Sequence, residues 1–196
     1  MTMEFRQRYR EVARLHAACI NQGFLSTLGL PFLELLYQAM DEADASVLIV
    51  EESGERVVGF VAGGMGMGAI YRQMLRHPFR LLSALLPSIC RPTRVMRMLD
   101  ILRYGRDALG ERMSLPEAEL FSIAVAADAR GKGVADRLYH ALSSHFGERG
   151  VDAFKVTVGE TLAPAHRFYK RMGAEFSGRV EVHAGEGSVV YVQPLR

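Results

Sequence analysis

The sequence predicts one α/β domain, a mixed, partly antiparallel sheet with helices on both faces and a helical insertion ahead of its second half. Three observations predict it. Two amphipathic helical patterns open the chain, β-branched runs joined by glycine-containing turns occur near both ends, and a strand-helix-strand-helix succession follows Pro116. At 196 residues, 49% hydrophobic and 23% charged, the chain suits a single core, so one domain over 1–196 is expected.

Taken in order, Val12, Leu15 and Cys19 recur at helical spacing, and after Pro31 so do Phe32, Leu33, Leu36, Tyr37 and Met40. The runs 46–52 (SVLIVEE) and 56–63 (RVVGFVAG) flank Ser53, Gly54 and Glu55 and read as a hairpin. Between 65 and 115 the composition changes: nine arginines stand against Asp100, Asp107 and Glu111, a local balance of +6, while the rest of the chain holds 15 basic and 19 acidic residues. Phe79, Leu82, Leu86 and Ile89 form one helical stripe there, and Val95, Met98, Leu99 and Leu102 form a second. Pro87 and Pro92 act as breaks and Gly105 as a stop, which gives a basic helical insertion. Past Pro116 come a strand (119–125), a glycine loop, and a helix on Val134, Leu138, Tyr139, Leu142 and Phe146. A strand (153–158) and a helix through Ala165, Phe168, Tyr169 and Met172 follow, and runs 175–183 and 188–193 close the chain as a hairpin.

A formal charge of +2 gives no global reason to expect a nucleic-acid partner. Cys19 and Cys90 lie far apart with no CxxC, and the six histidines lack ligand spacing, so neither a disulfide framework nor a metal is expected. Glu4, Arg6 and Arg8 interrupt any secretory leader, and the apolar stretches 57–71 and 81–90 fall short of the roughly 20 residues that cross a bilayer. A soluble, cytoplasmic protein is the expectation. Gly64, Gly66 and Ala69 formally match a weak dinucleotide fingerprint, but no carboxylate for a ribose follows about 20 residues on.

The stretch 122–136 carries more chemistry. Gly131 and Gly133 let the backbone turn tightly between strand and helix, and the new helix offers unpaired amide donors at the positive end of its dipole. A pyrophosphate suits that place. Lys132 is followed by Gly133 and not by Ser or Thr, which disfavours a P-loop and its Mg-nucleotide.

With Arg130, Gly133 and Ala135 the loop meets the pattern Q/R-x-x-G-x-G/A, and here the sequence resembles the GNAT superfamily of N-acetyltransferases. A second signature of that family, a helix carrying a Tyr and ending in a Gly, is matched by 165–173 (AHRFYKRMG) with Tyr169 and Gly173. The chain departs from the family at Leu162, where Asn is common, and at Ala174, where Phe is common.

The resemblance implies a GNAT-like sheet, acetyl-CoA as co-substrate without a metal, and acetyl transfer to a small-molecule amine. It implies that Ile123, Ala124 and Val125 hold the pantetheine arm, and that Arg130, Gly131, Lys132, Gly133, Val134, Ala135 and Asp136 hold the pyrophosphate. Tyr169 takes the place of the general acid, with a packing role beside Phe168 and Met172 as the alternative. Glu119, six residues before Val125, matches the catalytic carboxylate of the histone-acetyltransferase-like branch, or is an ordinary carboxylate at the start of a strand beside Glu117. The branch that acetylates ribosomal-protein N-termini has Glu where this chain has Thr157.

The sequence admits wider readings of the fold and of the insertion. The fold could bind acyl-CoA as an interaction module without chemistry. The arginines of 65–115 suit an anionic acceptor such as a nucleotide-linked amino sugar, or they line helices packed on the core or on a second subunit of a homodimer. Peripheral membrane contact through Phe79, Leu82 and Leu86 ranks last of the three.

Overall fold

The apolar stripes of the first two helices close over one face of a six-stranded sheet. A computed structural model of the chain describes residues 3–20, 25–89, 115–183 and 186–195. The first half runs α1 (Met3–Cys19), α2 (Leu30–Glu42), β1 (Ser46–Ser53), β2 (Arg56–Gly64), α3 (Gly68–Leu75) and α4 (Pro78–Ile89). The second runs β3 (Glu119–Val125), α5 (Val134–Glu148), β4 (Ala153–Gly159), α6 (Ala163–Arg171), β5 (Glu175–His183) and β6 (Glu186–Pro194). Short 3-10 turns occur at Leu25–Leu28 and Ala127–Ala129.

The strands lie in the order β1-β2-β3-β4-β6-β5, with every neighbouring pair antiparallel except β3 and β4. The mixed sheet expected from the sequence is thus present, with both hairpins in place. Strands this apolar need cover on both faces. Val12, Leu33, Leu36, Tyr37 and Phe60 build a core under α1 and α2, and Val61, Leu120, Leu138, Leu142, Phe154 and Tyr169 build another under α5 and α6. Close approach shapes the second: a Cβ at Gly59 would lie 2.7 Å from Val134 Cγ1 and 2.9 Å from Leu138 Cδ1, so α5 rests directly on the β2 backbone.

The first half of the insertion is helical, as its stripe predicts. Ile70, Met74 and Ala84 extend the first core, and α3 and α4 pack on α2. Pro87 does not break the helix: α4 runs through it to Ile89, because in the last turn the missing N–H costs a single bond. The stripe Val95, Met98, Leu99 and Leu102 lies outside the described residues.

Two irregularities position the site. β3 and β4 pair only at Glu119↔Lys155 and Leu120↔Val156, so beyond that point the two parallel strands separate and, among the described residues, the β4-facing edge of 121–125 has no strand partner. On its other edge β3 pairs Ser122 with Ala62 and Leu120 with Gly63, which leaves Phe121 as the extra residue of a bulge at the mouth of the separation.

Candidate active site

The free edge of β3 leads into the glycine loop. Gly131 and Gly133 both have φ of 74°, a left-handed conformation that a side chain would strain. Gly133 caps α5 without any side-chain hydrogen bond, so the first amides of that helix are without a capping partner among the described residues. The cleft in front of them is lined by Val125, Ala129, Arg130, Gly131, Gly133, Val134, Ala135, Asp136 and Arg171. These groups fit an anion of pyrophosphate type: backbone donors, a helix N-terminus and two guanidinium groups converge on one cleft.

Most residues predicted for the cofactor therefore line one cleft, and three do not. Ile123 packs on the second core, Ala124 is buried in the first, and Lys132 is exposed and does not line the cleft. Lys132 instead gives its carbonyl to Arg137 Nη1 at 3.0 Å. Arg137 also holds Glu51 of β1, and Arg56 of β2 holds Asp128 at 2.5 Å, so ion pairs tie the loop and the start of α5 to the first hairpin.

Arg171 was not anticipated. Two residues after Tyr169, it reads in sequence as a last-turn helix cation. The fold brings it from α6 to the cleft, where it meets Asp136 and pulls that carboxyl below its ordinary range by hydrogen bonding. Cys19, which its spacing places on the apolar stripe of the first helix, is half-buried; its thiol donates to the Val125 carbonyl at 3.5 Å and receives Arg130 Nη2 at 3.8 Å.

Glu119 sits where β3 and β4 part. Its carboxylate accepts from Thr157 Oγ1 at 3.4 Å and lies 3.7 Å from Lys155 Nζ, which also donates to the Pro116 carbonyl at 2.8 Å. Burial raises its pKa, while Lys155 and Thr157 partly oppose the rise. The two positions where branches of the resembling family carry a carboxylate, 119 and 157, are thus hydrogen-bonded neighbours here.

Tyr169 is buried among aromatic rings, with centroids of Phe168, Tyr139 and Tyr191 at 5.2, 6.0 and 6.3 Å. Burial raises its pKa, so the phenol keeps its proton throughout the physiological range. It does not line the loop cleft, and packing is the part of its two expected roles visible in the contacts.

A further polar line crosses the first core. Ser122, on the part of β3 that has parted from β4, lies 3.0 Å from the Tyr37 hydroxyl, which lies 2.6 Å from His16 Nδ1. His16 is buried, its Nε2 has no partner among the described residues, and desolvation lowers its pKa to about 4. From sequence His16 was one of six scattered histidines. Nothing in the spacing of 16, 37 and 122 signals the contact. Among the described residues, no group of three or more His, Cys, Asp or Glu is placed to hold a metal ion, and no helix is long and apolar enough to cross a membrane.

Among solved structures the fold is that of acetyltransferases. An N-acetyltransferase from Staphylococcus aureus Mu50 superposes with TM-score 0.62 at 14% identity, covering 97% of this chain and 94% of that one. A ribosomal-protein-alanine N-acetyltransferase from Brucella melitensis gives 0.61 at 15% identity, covering 97% and 96%. An aminoglycoside 6′-N-acetyltransferase complexed with coenzyme A gives 0.58 at 10% identity, covering 96% and 91%. Among curated proteins none matches the sequence. The sequence model of the acetyltransferase (GNAT) family matches residues 20–174, and the chain belongs to that family of acyltransferase enzymes.

Proposed function

We propose that this enzyme transfers the acetyl group of acetyl-CoA to an amine by direct attack. The observation that carries the reading is the parting of β3 and β4 beyond Leu120, which opens a free strand edge leading to an uncapped glycine loop. The pantetheine arm lies along the backbone of Ile123, Ala124 and Val125, and the pyrophosphate on the amides of Gly131 to Asp136. Strand amides near Val125 polarise the thioester carbonyl.

The neutral amine nitrogen attacks the carbonyl carbon, a tetrahedral oxyanion forms, and the C–S bond breaks as the carbonyl reforms. One proton leaves the amine for Glu119, whose raised pKa brings it closer to neutral pH than an exposed carboxylate. One proton passes from the Tyr169 hydroxyl to the departing thiolate; the burial that makes this phenol a reluctant acid also makes a thiolate beside it more basic. No step calls for a metal. A reducing cytoplasm suits a chain whose thiol Cys19 is free.

For the acceptor, the arginine excess of 65–115 supports an anionic amine, with a nucleotide-linked amino sugar as the sharper case. Charge reversal at Arg94 and Arg97 should raise the acceptor KM and leave acetyl-CoA binding intact.

The test is thiol release from acetyl-CoA with a panel of amines, for the wild type and for Tyr169→Phe, which keeps the ring and removes the proton. Amine-dependent release that falls roughly 100-fold or more in the variant, with acetyl-CoA affinity unchanged, supports the mechanism. An unchanged rate returns Tyr169 to packing. Acetyl-CoA binding with no amine-dependent release supports the alternative of a non-catalytic acyl-CoA-binding module, which Leu162 and Ala174 favour as departures from the family pattern.

A further inference from the structure

Helix α4 is apolar on two opposite faces. Leu81, Ala84 and Leu85 pack on the first core, while Phe79, Leu82 and Leu86 recur at helical spacing on the outside and are 86%, 55% and 55% exposed. Leu75, at the end of α3 just before this stripe, is 64% exposed. Single exposed leucines are ordinary, but a helix with a second apolar stripe carries a surface that water covers poorly.

The charge around it has one sign. Residues 65–89 contain Arg72, Arg76 and Arg80 and not a single Asp or Glu. Arg80 turns inward, to Gln38 at 2.7 Å and Glu34 at 3.9 Å. Arg72 and Arg76 are exposed, and among the described residues neither meets a carboxylate; Arg76 donates only to the neutral Gln73 side chain at 2.8 Å.

We propose that the α3–α4 face docks on an anionic lipid surface. Phe79, Leu82 and Leu86 enter the boundary between headgroups and acyl chains, and Arg72 and Arg76 sit among the phosphates. Charge decides against a second copy of the chain: a two-fold contact would press the same face on itself and bring together Arg72 and Arg76, which meet no carboxylate among the described residues. Phosphate headgroups instead supply the missing anions, and acyl chains receive the apolar stripe. With 12 residues, α4 is too short to cross a bilayer, so it lies in the plane of the surface with its inner face still on the protein core. In the sequence the stripe Phe79, Leu82, Leu86 could equally be the core-facing one; the structure packs Leu81, Ala84 and Leu85 on the core in its place.

The test is flotation of the full chain with vesicles of phosphatidylcholine, alone or mixed with phosphatidylglycerol, over a salt series. Binding to the anionic vesicles, weakened by salt and reduced roughly 100-fold by the double variant Phe79→Ser, Leu82→Ser, is the expected result. Arg72→Gln with Arg76→Gln should flatten the salt dependence. These side chains are exposed, so unchanged melting and unchanged acetyl-CoA binding check that the variants fold. Absence of binding, equal binding to neutral vesicles, or indifference to the Phe79 and Leu82 changes overturns the proposal. So does concentration-dependent dimerisation that the double variant abolishes while vesicles stay unbound.

Discussion

Asp136, in the first turn of α5, receives Nη1 and Nη2 of Arg171 on its two carboxylate oxygens, each at 2.7 Å. A carboxylate suits a helix N-terminus but repels a phosphate bound at the same place, and the guanidinium, which also lines the cleft, cancels that charge. Arg171→Ala should therefore weaken acetyl-CoA binding about tenfold or more, and Asp136→Asn added to it should restore most of the loss. Calorimetric titration of the two variants and their combination measures the coupling. Simple additivity of the two changes would make the pair a surface ion pair with no bearing on the cleft.

Gly133 makes a second, steric prediction. Its φ of 74° strains any side chain there, a β-branched one most, and a Cβ would also stand 3.2 Å from Arg137 Nη1 beside the amides offered to an anion. In Gly133→Val, acetyl-CoA should no longer raise the melting temperature, because the ligand then has no preferred affinity for the folded state. Equal stabilisation of variant and wild type would remove the pyrophosphate from this loop.

What was legible in the sequence follows a physical divide. Local chemistry and periodicity could be read: the hairpin around Gly54, the alternation Phe154, Val156, Val158 of β4, and the glycines of the loop all act within a few residues of themselves. Contacts between distant elements could not. Arg171 reaches Asp136 across 35 residues, Tyr37 reaches Ser122 across 85, and neither pair has a periodic signal. Direction of burial was also hidden in α4, where two apolar stripes share one short helix and only the tertiary fold chooses between them.

The rate should depend on pH through Glu119. Burial raises its pKa, so the fraction able to accept a proton grows as pH rises through a value above the ordinary carboxylate range, and kcat should climb on that limb. Lys155, 3.7 Å away, lowers the value, so Lys155→Met should move the limb to higher pH. Glu119→Gln should abolish the limb and cost roughly 100-fold to 10,000-fold in kcat. If the limb survives in Glu119→Gln, the carboxylate is a structural partner of Thr157 and Lys155, and another group takes the amine proton.

The line from His16 to Ser122 ties stability to pH in the same sense, with stability rising as pH rises. His16 is neutral when folded, its pKa lowered from 6.5 to about 4 by desolvation, so the unfolded chain binds a proton there first as pH falls. Its contribution is fully present above pH 6.5, declines as pH drops below that value, and is lost by about pH 4. At pH 5 the loss amounts to about 2 kcal/mol, from the two pKa values alone. Urea unfolding of the wild type at pH 7.5 and pH 5 should show this difference, and His16→Gln should lose that part of it while retaining the titration of the surface carboxylates. Tyr37→Phe, which keeps the ring and removes the bridge between His16 and Ser122, should cost about 1–3 kcal/mol at both pH values by leaving buried polar atoms unpaired. Because Ser122 belongs to the part of β3 that, among the described residues, no strand borders on its β4 side, the same variant should also loosen hydrogen-exchange protection at 121–125. An identical pH dependence in wild type and His16→Gln would mean that the imidazole is reached by water in the folded protein and that the line does not anchor β3.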